Sequence, residues 1–292
     1  MSLMLSLVML MQVGADPHVY PQAPLPAITP RRKPVTTAPP LQQPNALGQC
    51  MAAGRADAEA GEAWARAWLA RATTPDERAQ ADECLGLLLT DAQDFAGAQA
   101  AFADALAAIP ADETPGTVPL LAMAGNAALG NTDWVHALDW FDRALAVHDY
   151  DEHAARGAIM ADRARALVAL GRNGDADGAL TAARTEAPGD AGVFLLSATL
   201  ARREQKLAAA QGFIETAASL NPRDPAIGLE AGVIAVLAGH DGAARKSWNS
   251  VLAAAPDSDE AKAARGYLAQ LGPGKLAPLD RPAPPPTSVG RH

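Results

Sequence analysis

Residues 176–188 read ADGALTAARTEAP, residues 210–222 read AQGFIETAASLNP, and residues 244–256 read ARKSWNSVLAAAP. Laid over one another, the three stretches repeat every 34 residues. Pro188, Pro222 and Pro256 each end a helix-like run, preceded at constant offsets by Ala183, Ala217 and Val251, by Leu180, Ile214 and Trp248, and by Ala176, Ala210 and Ala244. One step further back come Ala164, Ala198 and Gly232. Small residues recur where two helices must approach closely and large apolar ones recur between them. That pattern predicts stacked helical pairs, each burying its apolar face only against its neighbours.

The same comb continues towards the N-terminus with a wider pitch. Gly86, Leu89, Ala98, Phe102, Ala105 and Pro110 make one unit, and Gly125, Ala128, Ala137, Phe141 and Ala144 make the next, now 39 residues apart. The additional residues fall around 113–117 and 152–156, at junctions where a loop or an extra helical turn leaves the stack undisturbed. Residues 45–78 read as a degenerate first pair, as expected of a terminal unit with one uncovered face. Residues 259–271 read as a closing helix, with Asp257 or Ser258 as its N-cap and Gly272-Pro273 as its stop. Length alone suggests two domains, but a solenoid grows without needing a second core.

These residues resemble the tetratricopeptide repeat family, exported bacterial type, whose 34-residue helix–turn–helix carries W-x2-L-G-x2-Y, A-x3-F and a closing Pro. Leu85-Gly86, Leu89, Ala98, Phe102 and Pro110 carry the closest match, and Trp248 stands at the aromatic position of the last unit. The resemblance covers residues 45–271 and implies an all-α, right-handed superhelical solenoid. About six helix pairs are expected, at 45–78, 79–117, 118–156, 157–190, 191–224 and 225–258, with a cap at 259–271. It also implies a partner-binding concave face built mainly from the first helix of each pair.

The ends of the chain read differently. Residues 2–13 are almost wholly apolar, and Val13-Gly14-Ala15 supplies the small residues a signal peptidase reads, so a secretory leader cleaved after Ala15 and a periplasmic location are expected. The apolar stretch is too short to span a bilayer. The other reading is a cytosolic N-terminus, since no Lys or Arg precedes the apolar run. Residues 16–44, carrying Arg31-Arg32-Lys33, and 272–292, with Ala283-Pro284-Pro285-Pro286, are proline-rich and read as extended linker and tail.

The chain has two cysteines, Cys50 and Cys84, 34 residues apart and so at equivalent places on first helices. In an exported protein a close pair is expected to be oxidised. Helix axes lie ~8–10 Å apart and a disulfide needs Cα atoms within ~7 Å, so the side chains must lean together. The alternative is two buried small hydrophobes.

A net charge of −9 with few aromatics argues against nucleic acid as the main partner. No nucleophile elbow, phosphate-cradling loop, zinc-protease helix or paired-cysteine metal site is present, and no cofactor is expected. Residues 173–178, NGDADG, copy the first half of a calcium loop, but Arg184 stands where the bidentate Glu belongs. They are expected to form the turn between two helices. His148, Asp149, Asp151, Glu152 and His153 gather metal-ligand types at a unit junction. The same residues also suit a helical first turn beginning at Asp151.

Solvent-facing offsets on the first helices give Glu83 and Leu87, Ala122 and Asn126, then Ala161 and Arg165. Further on come Leu195, Thr199, Arg202 and Arg203, and last Leu229, Val233 and Val236. The expected groove is cationic in its middle and apolar towards its C-terminal end, taking a carboxylate on Arg165 and Arg202 and aliphatic side chains on Leu229 and Val233. In the other reading the aliphatic residues pack the closing helix. Trp64 and Trp68, at helical spacing, read as core or cap packing. The function expected is a non-enzymatic scaffold of the bacterial envelope that binds a protein or peptide segment in that groove. A structural or assembly role through the convex face or tails is one alternative. A metal-responsive or enzyme-accessory module using His148 and His153 is the other.

Overall fold

The computed structural model describes residues 45–109 and 114–272, and the expected leader, linker and most of the tail lie outside them. The described residues form thirteen α-helices, one 3₁₀ turn and no strand. The helices are α1 (Ala46–Ala56), α2 (Ala58–Leu69), α3 (Pro75–Asp91), α4 (Phe95–Ala108), α5 (Val118–Gly130), α6 (Trp134–Ala146) and α7 (His153–Ala169). They continue as α8 (Asn173–Glu186), α9 (Ala191–Arg203), α10 (Leu207–Leu220), α11 (Pro225–Leu237), α12 (Asp241–Ala254) and α13 (Asp259–Gln270). Six antecedent–successor pairs and a closing helix make an all-α solenoid.

Its core is a chain of six local clusters, each centred on the second helix of a pair and completed by the first helix of the next. Phe102 and Ala105 of α4 pack with Leu120 and Ala124 of α5. Phe141 of α6 packs with Leu121 of α5 and Ile159 of α7. Leu180 of α8 meets Val193 of α9, and Ile214 of α10 meets Ile227 of α11. In the last cluster Trp248 and Val251 of α12 are closed by Ala261 and Ala264 of α13, which explains why a thirteenth helix follows the sixth pair. Burying one such large side chain contributes roughly 1.5–3 kcal/mol, so the stack is stabilised link by link.

In five of the six pairs the two helices are joined by one recurrent turn, while α1 and α2 are joined through the extended Asp57. The N–H of Asp94 reaches Leu89 O, Asp133 reaches Ala128 O, Arg172 reaches Leu167 O, Lys206 reaches Ala201 O and His240 reaches Ala235 O, all at 2.8–2.9 Å. This six-to-one bond ends a helix when the residue just before the donor is left-handed. Those residues are Gln93 (φ 61°), Thr132 (φ 59°), Gly171 (φ 74°), Gln205 (φ 61°) and Gly239 (φ 79°). The donor is also the N-cap of the following helix, and Asp94 and Asp133 add side-chain caps to Gly97 N and His136 N.

Three boundaries depart from expectation. The limits at 78/79 and 156/157 fall inside α3 and α7; the additional residues around 152–156 enter the start of α7, whereas those described around 113–117 form the 3₁₀ turn Pro115–Thr117 ahead of α5. Thr74 closes a capping box on Glu77 with Pro75 in the first turn, which fixes the start of α3. Helix α7 begins at His153 after Glu152, not at Asp151. Residues 173–178 are the first turns of α8 rather than a turn between helices; the left-handed Gly171 makes the turn earlier. Of the two caps open at the closing helix, Ser258 accepts from Ala261 N at 3.1 Å.

Cys50 of α1 and Cys84 of α3 form a disulfide with Cα atoms 6.5 Å apart, both fully buried. Trp68 is buried beside them and Trp64 packs against the same cluster, with ring centroids 5.2 Å apart in an edge-on arrangement. No described helix is long and apolar enough to cross a membrane.

Candidate functional site

Successive first helices place equivalent residues side by side. Asn126 of α5, Arg165 of α7 and Thr199 of α9 occupy one such row, and Gly130, Ala169 and Arg203 a second, one helical turn further on. Both rows open onto a pocket of about 640 Å³. Its apolar walls include Leu129, Val168, Leu196 and Leu200 from these helices. Phe95 and Trp134, the first residues of α4 and α6, complete it. The ring of Phe95 lies against Gly130, where a Cβ would come within 2.5 Å of it.

The polar groups of the pocket are not equivalent. Arg165 donates to Asp162, one turn back on α7, and Asn126 of α5 hydrogen-bonds the same carboxylate. Burial pushes the Asp162 carboxyl above its ordinary range, against the pull of Arg165 and Asn126; Asp190 adds to the rise. The charge of Arg165 is therefore largely met from within. Arg202 donates from Nε to Glu230 of α11 at 2.6 Å, and both side chains are largely covered. It braces α9 against α11 and stands outside the pocket, so the expected pairing of Arg165 with Arg202 does not form the cationic site. Arg203, the last residue of α9, is exposed on the pocket rim and makes no side-chain hydrogen bond or ion pair among the described residues.

The remaining candidates lie elsewhere. Ala161 is 5% exposed in the core beside α9, too buried to offer a surface. Leu195 is half-buried against the α9–α11 cluster. Leu229, Val233 and Val236 pack beside Leu268 and Leu271 around α13. Val233 and Val236 also border a separate apolar hollow of about 260 Å³ with Leu237 and Tyr267. Leu87 packs against the α4 cluster, and burial raises the Glu83 carboxyl. Phe95 and Trp134 were not reachable from first-helix offsets, because they belong to second helices. Their signal is an aromatic directly after the capping Asp in two successive units.

At the α7 junction His153 Nδ1 lies 2.6 Å from Glu186 Oε2, in an exposed pair between α7 and α8. Among the described residues no three His, Cys, Asp or Glu side chains are grouped to hold a metal ion. In the abandoned half calcium loop, Asp175 is paired with Arg172 at 2.8 Å.

No family model matches the chain, and no curated protein sequence matches it. Solved structures do. PilF of Pseudomonas aeruginosa is 14% identical with a TM-score of 0.59, covering 77% of this chain and 96% of its own. PilW, described as a widely conserved type IV pilus biogenesis factor, is 18% identical with a TM-score of 0.62, covering 75% and 96%. A tetratricopeptide repeat protein from Parabacteroides merdae is 14% identical with a TM-score of 0.62, covering 77% and 87%. The fold is that of tetratricopeptide-repeat proteins.

Proposed function

We propose that this chain is a non-enzymatic protein–protein interaction scaffold of the bacterial envelope, and that it receives a partner segment between α5, α7 and α9. The observation that carries the reading is the pocket of about 640 Å³ there, with apolar walls and, on its rim, an arginine that has no ion pair among the described residues. A cavity of this size accommodates several side chains of a bound segment. Asn126, Arg165, Thr199 and Arg203 are its polar contacts. Leu195, Arg202, Leu229, Val233 and Val236 extend or brace the same side of the first helices. The envelope assignment is supported by the buried Cys50–Cys84 disulfide, since such bonds persist in oxidising compartments, and by the apolar residues 2–13 followed by the small residues up to Ala15.

The test is site-specific photocrosslinking in cells, with the reactive residue at Val168 inside the pocket or at Ala146 on the α6–α8 side. A partner captured from position 168, absent from position 146 and lost on Arg165→Glu with Arg203→Glu, supports the reading. Capture from position 146 alone moves binding to the other face and overturns it.

A further inference from the structure

The rim of this pocket holds two arginines in different states. Arg165 is held by Asp162, whose side chain is 16% exposed and also bonded by Asn126. Arg203 has no such partner among the described residues. Its neighbour Arg202 is already committed to Glu230. A cation in the last turn is favoured by the helix dipole, by about 0.3–1 kcal/mol, and both Arg202 and Arg203 stand there on α9. Arg203 is thus a planar, two-pronged donor standing beside apolar walls with no partner among the described residues.

Resting on the reading above, we propose that the pocket selects a linear segment in which a bulky apolar side chain stands next to an acidic one. The apolar side chain seats among Phe95, Leu129, Trp134 and Val168, and the carboxylate side chain closes on Arg203. The choice of charge follows from complementarity: a lone guanidinium beside apolar walls accepts a carboxylate in bidentate fashion, and a basic side chain there meets repulsion. The order of importance follows from the whole chain. Its net charge of −9 opposes the approach of any acidic segment, so affinity comes from the buried apolar group and selectivity from the acid. Asp162 sharpens the choice by neutralising Arg165, leaving one anion site instead of two.

The test is selection of random linear peptides displayed on phage, each fused through its C-terminus so that any selected acid is a side chain. The chain is presented whole, with its disulfide formed. The expected result is enrichment of a bulky apolar residue within one or two positions of Asp or Glu. Synthetic peptides from that set should bind Arg203→Gln roughly tenfold more weakly. Changing the peptide Glu to Gln should weaken wild type but not Arg203→Gln. Val168→Trp, which obstructs the apolar seat, should abolish binding, and each variant must keep the wild-type helical melt. Peptides that bind in the pocket without preferring an acid overturn this inference and leave the scaffold reading standing. If no peptide is retained, or if retention survives Val168→Trp, the pocket reading fails and this inference with it.

Discussion

The indole of Trp248 occupies the space where a Cβ on Gly232 would stand, only 2.0 Å from Nε1, and its N–H donates to Leu229 O at 3.1 Å. The same relation recurs at Gly125, where a Cβ would lie 2.5 Å from Phe141, and at Gly86, where it would lie 2.6 Å from Phe102. In the two units between, the first-helix residue is Ala164 or Ala198 and the facing residue shrinks to Leu180 or Ile214. The volume lost on one helix is thus matched by volume on the other. Gly125→Ala is expected to destabilise by about 1–2 kcal/mol, the overpacking cost less the helix propensity gained. Adding Phe141→Leu, which copies Ala164 and Leu180, should recover most of that loss. Chemical denaturation of both variants checks it; equal stability of Gly125→Ala and wild type refutes the complementarity.

That complementarity is why the fold was legible in the sequence. Gly86, Gly125, Ala164, Ala198 and Gly232 stand in register with Phe102, Phe141, Leu180, Ile214 and Trp248, so the comb exposed both helices of a pair at once. The turns were less legible, since three of five left-handed positions hold Gln or Thr rather than Gly. The start of α7 was not legible because an inserted turn of helix and a loop look alike when only the spacing is read, and that of α3 because it rests on a local capping box, Thr74 with Glu77, rather than on the comb. At the pocket, Arg202 and Arg203 are neighbours in sequence but about 100° apart on the helix. Arg203 follows Thr199 by one helical turn and so faces the pocket, but that Arg202 is held by Glu230 from another helix is a pairing no periodicity reveals.

Thr132 is the least comfortable of the left-handed residues, with φ 59° on a β-branched side chain. Such a conformation costs about 1–2 kcal/mol for an L residue with a Cβ, and glycine avoids it at some cost in unfolded-state entropy. Gly171 and Gly239 already fill the equivalent place in two other pairs. Thr132→Gly is therefore expected to stabilise by about 0.5–1 kcal/mol, read as a higher melting temperature. Thr132→Ala, which keeps the Cβ, should not match it.

Asp82 of α3 is 6% exposed, and its carboxyl is pushed up to about 6, chiefly by burial and secondarily by Asp104 on α4. Its ordinary value is 3.8. Between these values the unfolded chain has lost the proton that the folded chain retains, so stability falls as pH rises from about 4 to about 6 and stays lower above. The loss at pH 7 is on the order of 3 kcal/mol. One unit on, the equivalent position is Leu121, fully buried. Asp82→Leu should raise the melting temperature at pH 7, change it little at pH 4, and remove the slope between. An unaltered pH profile would show that Asp82 is not the titrating group.

The disulfide ties α1 to α3 across a sequence separation of 34 residues. On the loop-entropy model such a link contributes about 3–4 kcal/mol. In a stack whose units touch only their neighbours, the loss on reduction should stay local. Replacing both cysteines by alanine should open α1 and α2 to hydrogen exchange while α7 to α12 keep their protection. A single cooperative loss along the whole chain would contradict this.

Asp162→Asn is the variant that probes how the pocket rations its charge. The carboxylate holds Arg165, and its burial already disfavours the ionised form. Removing the charge relieves that desolvation cost, while Arg165, whose side chain is 53% exposed, finds solvent in its place. Little change in stability is therefore expected. A second arginine then becomes available on the pocket rim, so peptides bearing one acidic residue should bind several-fold more tightly and those bearing two should gain most. Titration calorimetry on Asp162→Asn and on Asp162→Asn with Arg165→Gln separates the contributions. The gain should vanish in the double variant. If it persists there, Asp162 acts through shape or backbone rather than through Arg165.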